Sequence, residues 1–267
     1  MDKTLTVGGR SVFYRDLGVG TPVLLLHGLA EDGAIWDEVA KTLSGMCRVL
    51  IPDVPGSGRS DLPADEVSME SLAAVIREIM DAEGIDRCVF IGHSMGGYIA
   101  LAFAESYPQR VTALGLFHST AYADSDEKKA GRRKSIGFIR EHGVTPYIRQ
   151  STPNLFAAGT REERPALVEE MVRRYSAFPG GSLTAYLEAM LNRPDRLHVL
   201  ERFPRPSLFI IGEQDQIIPM EQSLKQAHIP QIAQVSLLPD AGHMGMLEAP
   251  DAGSAIIREF LNFITLS

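Results

Sequence analysis

Val89 to Ala100 reads VFIGHSMGGYIA: an apolar run, then Ser94 with glycine two places before it and two places after it. A serine hydroxyl is a weak nucleophile until a base takes its proton. Gly92 and Gly96 leave room for a cramped strand-to-helix turn that would lift the Ser94 oxygen above a sheet. A helix starting directly behind it would aim the Met95 amide at the same spot, at the positive end of the helix dipole. Such a turn suits an attacking oxygen and the oxyanion that its attack creates.

The base should be a histidine at the carboxyl end of another strand, where ligands gather in open α/β sheets. His243, in LLPDAGHMGMLEAP, meets that requirement, with Gly242 and Gly245 beside it. A histidine in this role needs an acid to fix its tautomer and stabilise its cation. Asp215, in LFIIGEQDQIIP, leaves the preceding strand end. Glu213 and Asp240 are its rivals. The first is close enough to the strand to point aside, and the second is too near His243 in sequence for an unstrained contact. The order serine, aspartate, histidine along the chain favours Asp215. A second oxyanion donor is expected from the loop after PVLLLHG, at the backbone amide of Leu29. His27 in that loop reads as structural.

These positions need a scaffold, and the chain supplies an alternation of strands and helices. TLTV and SVFYRD flank a Gly8-Gly9 turn and read as a hairpin. PVLLLHG, CRVLIPD, RCVFIG, VTALGLF, PSLFIIG and AQVSLLP read as six further strands, mostly continuous apolar runs that suit a sheet covered on both faces. Helices are expected over 35–43, 68–83, 94–106, 220–227 and 252–263, with Ser68 and Ser71 as candidate caps of the second. The expectation is an α/β fold: a mostly parallel eight-stranded sheet flanked by helices, with right-handed crossovers. From 121 to about 205 no strand is expected. Charged helix, a helix over 162–178 and another over 183–191 follow in turn, the last two separated by Gly180-Gly181. The core domain is therefore 1–118 with 206–267, and 119–205 is a helical insertion.

Most large apolar side chains of the insertion should pack within it. Tyr147 and Phe156 are expected over Ser94, with Trp36 and Met244 at the edge of the pocket. No arginine stands out to bind a substrate carboxylate, so a largely uncharged acyl substrate is expected. DEKKAGRRK reads as a solvated helix face.

Composition narrows the function classes. A formal charge of −8 argues against a general nucleic-acid binder. No apolar stretch reaches bilayer length, and MDKTLTVGGR lacks the apolar core of a signal peptide. Cys47 and Cys88 each open an expected strand and read as buried free thiols. A cytoplasmic protein with a small-molecule acyl substrate, and no nucleic-acid or membrane partner, is expected; oligomeric state leaves no mark in the sequence. PGSGRSD misses the dinucleotide pattern at Asp61, no phosphate-loop motif exists, and Asp53 is expected to tie this loop down. The seven histidines show no paired metal spacing. Neither a metal nor another cofactor is expected.

Taken together, HGL at 27–29, DVPGSGRS at 53–60, GHSMGG at 92–97, GEQDQIIP at 212–219 and AGHMGMLEAP at 241–250 resemble the recurring segments of the α/β-hydrolase superfamily. They occur in its order over nearly the whole chain outside 119–205. The resemblance implies Ser94 as nucleophile, His243 as base, Asp215 as acid, and the Leu29 and Met95 amides as oxyanion hole. It implies that 119–205 is a helical cap. Members that use aspartate as nucleophile are excluded by Ser94, and HGLAEDG lacks the HGGG of larger lipases. The expected activity is a serine hydrolase that cleaves a small ester, thioester or lactone through an acyl-enzyme. A cofactor-free haloperoxidase or perhydrolase, a carbon–carbon bond hydrolase, and a ligand receptor that retains the triad all need the same groups and stay open on sequence.

Overall fold

A computed structural model describes residues 1–63 and 66–266. Gly8 and Gly9 turn the chain with φ of +56° and +76°, the left-handed region that a tight hairpin requires. They join β1 (Asp2–Val7) to β2 (Arg10–Leu17) in antiparallel register. The apolar runs form β3 (Pro22–Leu26), β4 (Arg48–Pro52), β5 (Cys88–His93), β6 (Val111–Phe117), β7 (Ser207–Gly212) and β8 (Ala233–Leu238). The sheet has eight strands in the order β1-β2-β4-β3-β5-β6-β7-β8. Strand β2 meets β4 antiparallel, and every later pairing is parallel. The inner strands are buried on both faces, as their unbroken apolar sequences require.

Helices α1 (Asp37–Leu43), α2 (Met69–Ala82) and α3 (Met95–Ser106) lie within the first half. Ser68 and Ser71 close a reciprocal capping box at the start of α2, each hydroxyl accepting from the other's amide. Six α-helices stand between β6 and β7: α4 (Asp126–His142), α5 (Val144–Ser151), α6 (Ala158–Glu163), α7 (Pro165–Tyr175), α8 (Gly180–Asn192) and α9 (Leu197–Arg202). Two expectations change here. The single helix over 162–178 is split, because Pro165 lacks an amide hydrogen and opens α7 as its first residue. Gly180 and Gly181 do not separate helices; they form the first turn of α8. The chain closes with α10 (Met220–Ala227), α11 (Gly245–Glu248) and α12 (Pro250–Leu266). Helix α2 packs on α3 and α1 on α12. Among the described residues, no helix is long and apolar enough to cross a membrane.

Packing leaves no room for a side chain where β3, β5 and α3 converge. A Cβ on Gly96 would stand 2.3 Å from the Leu26 carbonyl oxygen. Backbone cannot retreat as a side chain can, so Gly96→Ala should destabilise the fold by about 3 kcal/mol or more. Gly131 in α4 has nothing within 4 Å of its would-be Cβ. Gly131→Ala should instead be neutral or stabilising by about 0.5–1 kcal/mol. Urea midpoints of the two variants test the contrast.

Candidate active site

Ser94 joins β5 to α3 with φ +48° and ψ −115°. This conformation is rare for any residue but glycine, and it persists only where the surroundings fix it. Here the Ser94 amide donates to the Phe117 carbonyl at 3.0 Å, and Ser119 Oγ donates to the Ser94 carbonyl at 2.7 Å. A Cβ on Gly92 would lie 2.4 Å from the Gly96 backbone, and one on Gly97 would lie 2.2 Å from Ser119 Oγ. The glycines at 92 and 96 are therefore compulsory, and Gly97 joins them. Ala30 and His118 are the other described non-glycine residues with positive φ. All three follow strands that end at this rim.

His243 and Asp215 arrive on the loops after β8 and β7. Asp215 Oδ2 accepts from His243 Nδ1 at 2.8 Å. Its Oδ1 accepts from the Ile217 and Ile218 amides at 2.8 and 2.9 Å. Burial opposes the Asp215 charge. The contact with His243 and the hydrogen bond from the Ile218 amide outweigh burial and hold the carboxyl down to about 2. Its rivals Glu213 and Asp240 are both exposed. The His243 loop is fixed to the helical insertion: the His243 amide donates to the Leu155 carbonyl at 2.7 Å. Glu248 Oε1 accepts from the Gly242 and Met244 amides, while its Oε2 accepts from the Ala157 amide and Thr160. Among the described hydrogen bonds none joins Ser94 to His243. A bond of this kind is commonly long until a substrate is seated.

A second buried pair lies behind the first, and the sequence reading did not find it. His93 Nδ1 stands 3.0 Å from Glu31 Oε2, and His93 Nε2 stands 2.9 Å from the His243 carbonyl. Both neighbours are acceptors, so both ring nitrogens donate and the ring is an imidazolium. Glu31 also accepts from the Gly28 amide at 2.6 Å. Burial works against each charge, but each partner outweighs it. The Glu31 carboxyl lies below its ordinary value and the His93 imidazole above its own. The pair links the loop after β3 to the His243 backbone. Signals were present: His93 directly precedes the serine, and Glu31 is four residues past His27.

Glu31→Gln should cost about 3–5 kcal/mol of stability, the usual effect of breaking a buried ion pair. The depressed Glu31 contributes fully above its unfolded value of 4.5, and its contribution fades as pH falls through the lower folded value. The raised His93 contributes fully below its unfolded value of 6.5, and its contribution fades as pH rises through the higher folded value. The stability gap between native protein and variant should therefore be widest between pH 4.5 and 6.5. Denaturant unfolding across pH 3.5–9 checks this; a flat gap would contradict the pairing.

His118 is neutral. Burial, only partly offset by Asp215, holds it well below its ordinary value. Its Nδ1 accepts from the Gly212 amide at 3.0 Å, and its buried Nε2 has no partner among the described residues. His27 is a loop clamp, with Nε2 accepting from the Val54 amide at 2.9 Å. Asp53 ties its loop as expected, accepting from the Gly33 and Arg59 amides.

A cavity of about 250 Å³ lies between the sheet rim and the helical insertion. Ser94, His243, Leu29 and Glu31 line it from the core, and Tyr147 and Arg132 are among the residues lining it from the insertion. The Leu29 amide donates to no group among the described hydrogen bonds. The Met95 amide, at the first position of α3, has no carbonyl within its helix to bond. Three residues expected in the pocket are absent from its wall. Trp36 is fully buried and meets Phe117 edge-on, with ring centroids 5.7 Å apart. Phe156 is buried with its backbone against Gly242, and Leu155 takes the wall. Met244 is fully buried ahead of α11. Arg132, by contrast, was read as part of a solvated face and instead turns inward.

Residues 21–250 match the family model described as the alpha/beta hydrolase fold. The chain is similar to a thermophilic esterase from Thermogutta terrifontis, with 30% identity, 99% of each chain covered and a TM-score of 0.93. It is similar to the enol-lactonase from Burkholderia xenovorans LB400, with 25% identity, 97% of this chain and 100% of that one covered, and a TM-score of 0.89. Lipase 1 of Psychrobacter immobilis is 27% identical, over 98% of this chain and 83% of its own length.

Proposed function

This chain is an enzyme of the α/β-hydrolase family, and from that premise we propose that it is a serine hydrolase of small esters, thioesters or lactones. One observation carries the reading. The Asp215–His243 pair, bonded at 2.8 Å, reaches the cavity that Ser94 also lines from a strained turn.

The proposed chemistry follows from these groups. Asp215 fixes the His243 proton on Nδ1, which leaves Nε2 free to take the Ser94 proton. Ser94 Oγ attacks the substrate carbonyl. The developing oxyanion is held by the Leu29 and Met95 amides, each worth about 3–4 kcal/mol in such a position. His243 protonates the leaving group, then activates water to release the acid from Ser94. No residue role requires a metal or an organic cofactor. The cavity falls below the roughly 300–1,000 Å³ of drug-sized sites, which supports a small substrate. The likeness to an esterase and an enol-lactonase supports the acyl class. A cytoplasmic location belongs to the same reading, supported by the buried, unpaired thiols of Cys47 and Cys88.

Fluorophosphonate labelling with peptide mapping, followed by an ester, thioester and lactone panel, tests the proposal. Labelling at Ser94 with turnover of the panel is expected. Cleavage of a vinylogous diketone with little ester turnover would move the reading to a carbon–carbon hydrolase. Peracid formation exceeding hydrolysis would move it to a perhydrolase. Ligand binding without turnover would make it a receptor.

A further inference from the structure

The helical insertion brings two guanidinium groups to one carboxylate. Asp124 Oδ1 receives Arg193 at 2.9 Å, and Arg132 grips the same carboxylate through Nε and Nη2. Asp124 and Arg193 are almost wholly buried. Two cations against one anion leave one positive charge over in a shielded place, where an uncompensated charge is costly.

The surplus belongs to Arg132. Arg193 has its other acceptors: it donates to the Met190 carbonyl at 2.6 Å and the Tyr122 carbonyl at 3.1 Å, and it lies 3.9 Å above the Tyr98 ring. Arg132 lines the catalytic cavity, and among the described residues its Nη1 meets only the Met190 sulfur at 3.7 Å, a weak acceptor. Lys128, one turn earlier on α4, adds a second cation nearby, donating to the carbonyl of the cavity residue Ile217. The carboxylates at the rim already have their hydrogen-bond partners: Glu31 receives His93, and Asp215 receives His243 and the Ile217 and Ile218 amides. On the insertion side, Thr152 Oγ1 is buried without a partner in the same cavity wall.

Resting on the serine-hydrolase reading above, we infer that the substrate carries a carboxylate, bound by Arg132 at the insertion wall while its acyl carbon meets Ser94. The substrate class is the hemiester or monothioester of a small dicarboxylic acid, or the lactone of a hydroxy-dicarboxylic acid that keeps one carboxylate free. A guanidinium presents parallel donors to a carboxylate, and in a walled cavity this bond is stronger than in water. The expected uncharged substrate is thereby replaced, because the arginine that sequence could not single out is turned into the site.

The test compares p-nitrophenyl hydrogen glutarate with p-nitrophenyl pentanoate, which share acyl length and differ in a terminal carboxylate or methyl. The native enzyme should favour the glutarate in kcat/KM by about tenfold or more. Arg132→Gln should lower that ratio by about 10–100-fold. Arg132→Lys, which keeps the charge, should lower it less. Asp124 retains Arg193 in both variants, and melting temperatures confirm folding. A native ratio at or below one, or a ratio unmoved by both variants, overturns the subsite. Calorimetry on Ser94→Ala with monomethyl glutarate separates the two readings. Binding that weakens at least tenfold on adding Arg132→Gln upholds the subsite even if no ester is turned over, when the hydrolase reading alone fails. Absence of binding overturns the subsite, while turnover of the pentanoate leaves the hydrolase reading standing.

Discussion

Replacing Ser94 with alanine should lower kcat on a p-nitrophenyl ester by on the order of 10⁶-fold while leaving the fold intact. The size follows from the role: no neighbouring hydroxyl takes its place in covalent attack. Ser119 is committed to the Ser94 carbonyl, and Thr152 lies on the insertion side of the cavity. The fold should survive because the hydroxyl holds nothing up. The turn is held by the Ser94 backbone, through its amide to Phe117 and its carbonyl to Ser119. Alanine has the same Cβ, so the strain at φ +48° is unchanged. The oxyanion amides also remain, and a small residual rate over water is expected from them. Steady-state kinetics, loss of fluorophosphonate labelling and circular dichroism together check the prediction. Retention of a tenth of the activity in a folded variant would remove Ser94 from the mechanism.

What the sequence reveals about this site depends on how local the constraint is. Ser94, Asp215 and His243 are legible because each sits just beyond an apolar strand, and a parallel sheet brings those ends to one rim. Gly92 and Gly96 are legible because the turn excludes a Cβ there. Cavity walls are a different matter. Trp36 and Met244 are large and close to Ser94, Asp215 or His243 in sequence or strand order, yet both face into the core, since burial and pocket exposure look alike in a sequence. Arg132 lay hidden in DEKKAGRRK for a related reason. Which cation of a charged helix turns inward depends on Asp124, which precedes the helix, and on Arg193, brought in from beyond α8. The Glu31–His93 pair was missed because its members are 62 residues apart, and only the adjacency of β3 and β5 makes them neighbours. The break at Pro165 has another cause: the helix expected over 162–178 runs through it, and its missing amide hydrogen makes it the first residue of α7.

Asp215→Asn should lower kcat by about 10⁴-fold with the cavity still formed. The carboxylate does two things at once. Its Oδ1 receives the Ile217 and Ile218 amides, and its Oδ2 receives His243 Nδ1. An asparagine must keep its oxygen toward the two amides, since both are donors. Its NH₂ then faces His243 Nδ1, which has to become an acceptor. The imidazole proton moves to Nε2, the nitrogen that should take the proton from Ser94, and the base is blocked by its own tautomer. The negative charge that would stabilise the imidazolium is lost as well. His118 cannot take over as the base, because its acceptor nitrogen, Nδ1, is committed to the Gly212 amide. KM should change far less than kcat, since the substrate does not need the imidazolium to bind. Glu213→Gln and Asp240→Asn alter exposed side chains and should stay within about twofold of the native rate. Kinetics of the three variants at one pH decide the matter. A large loss with Glu213→Gln and a small one with Asp215→Asn would transfer the acid to Glu213, against the 2.8 Å contact.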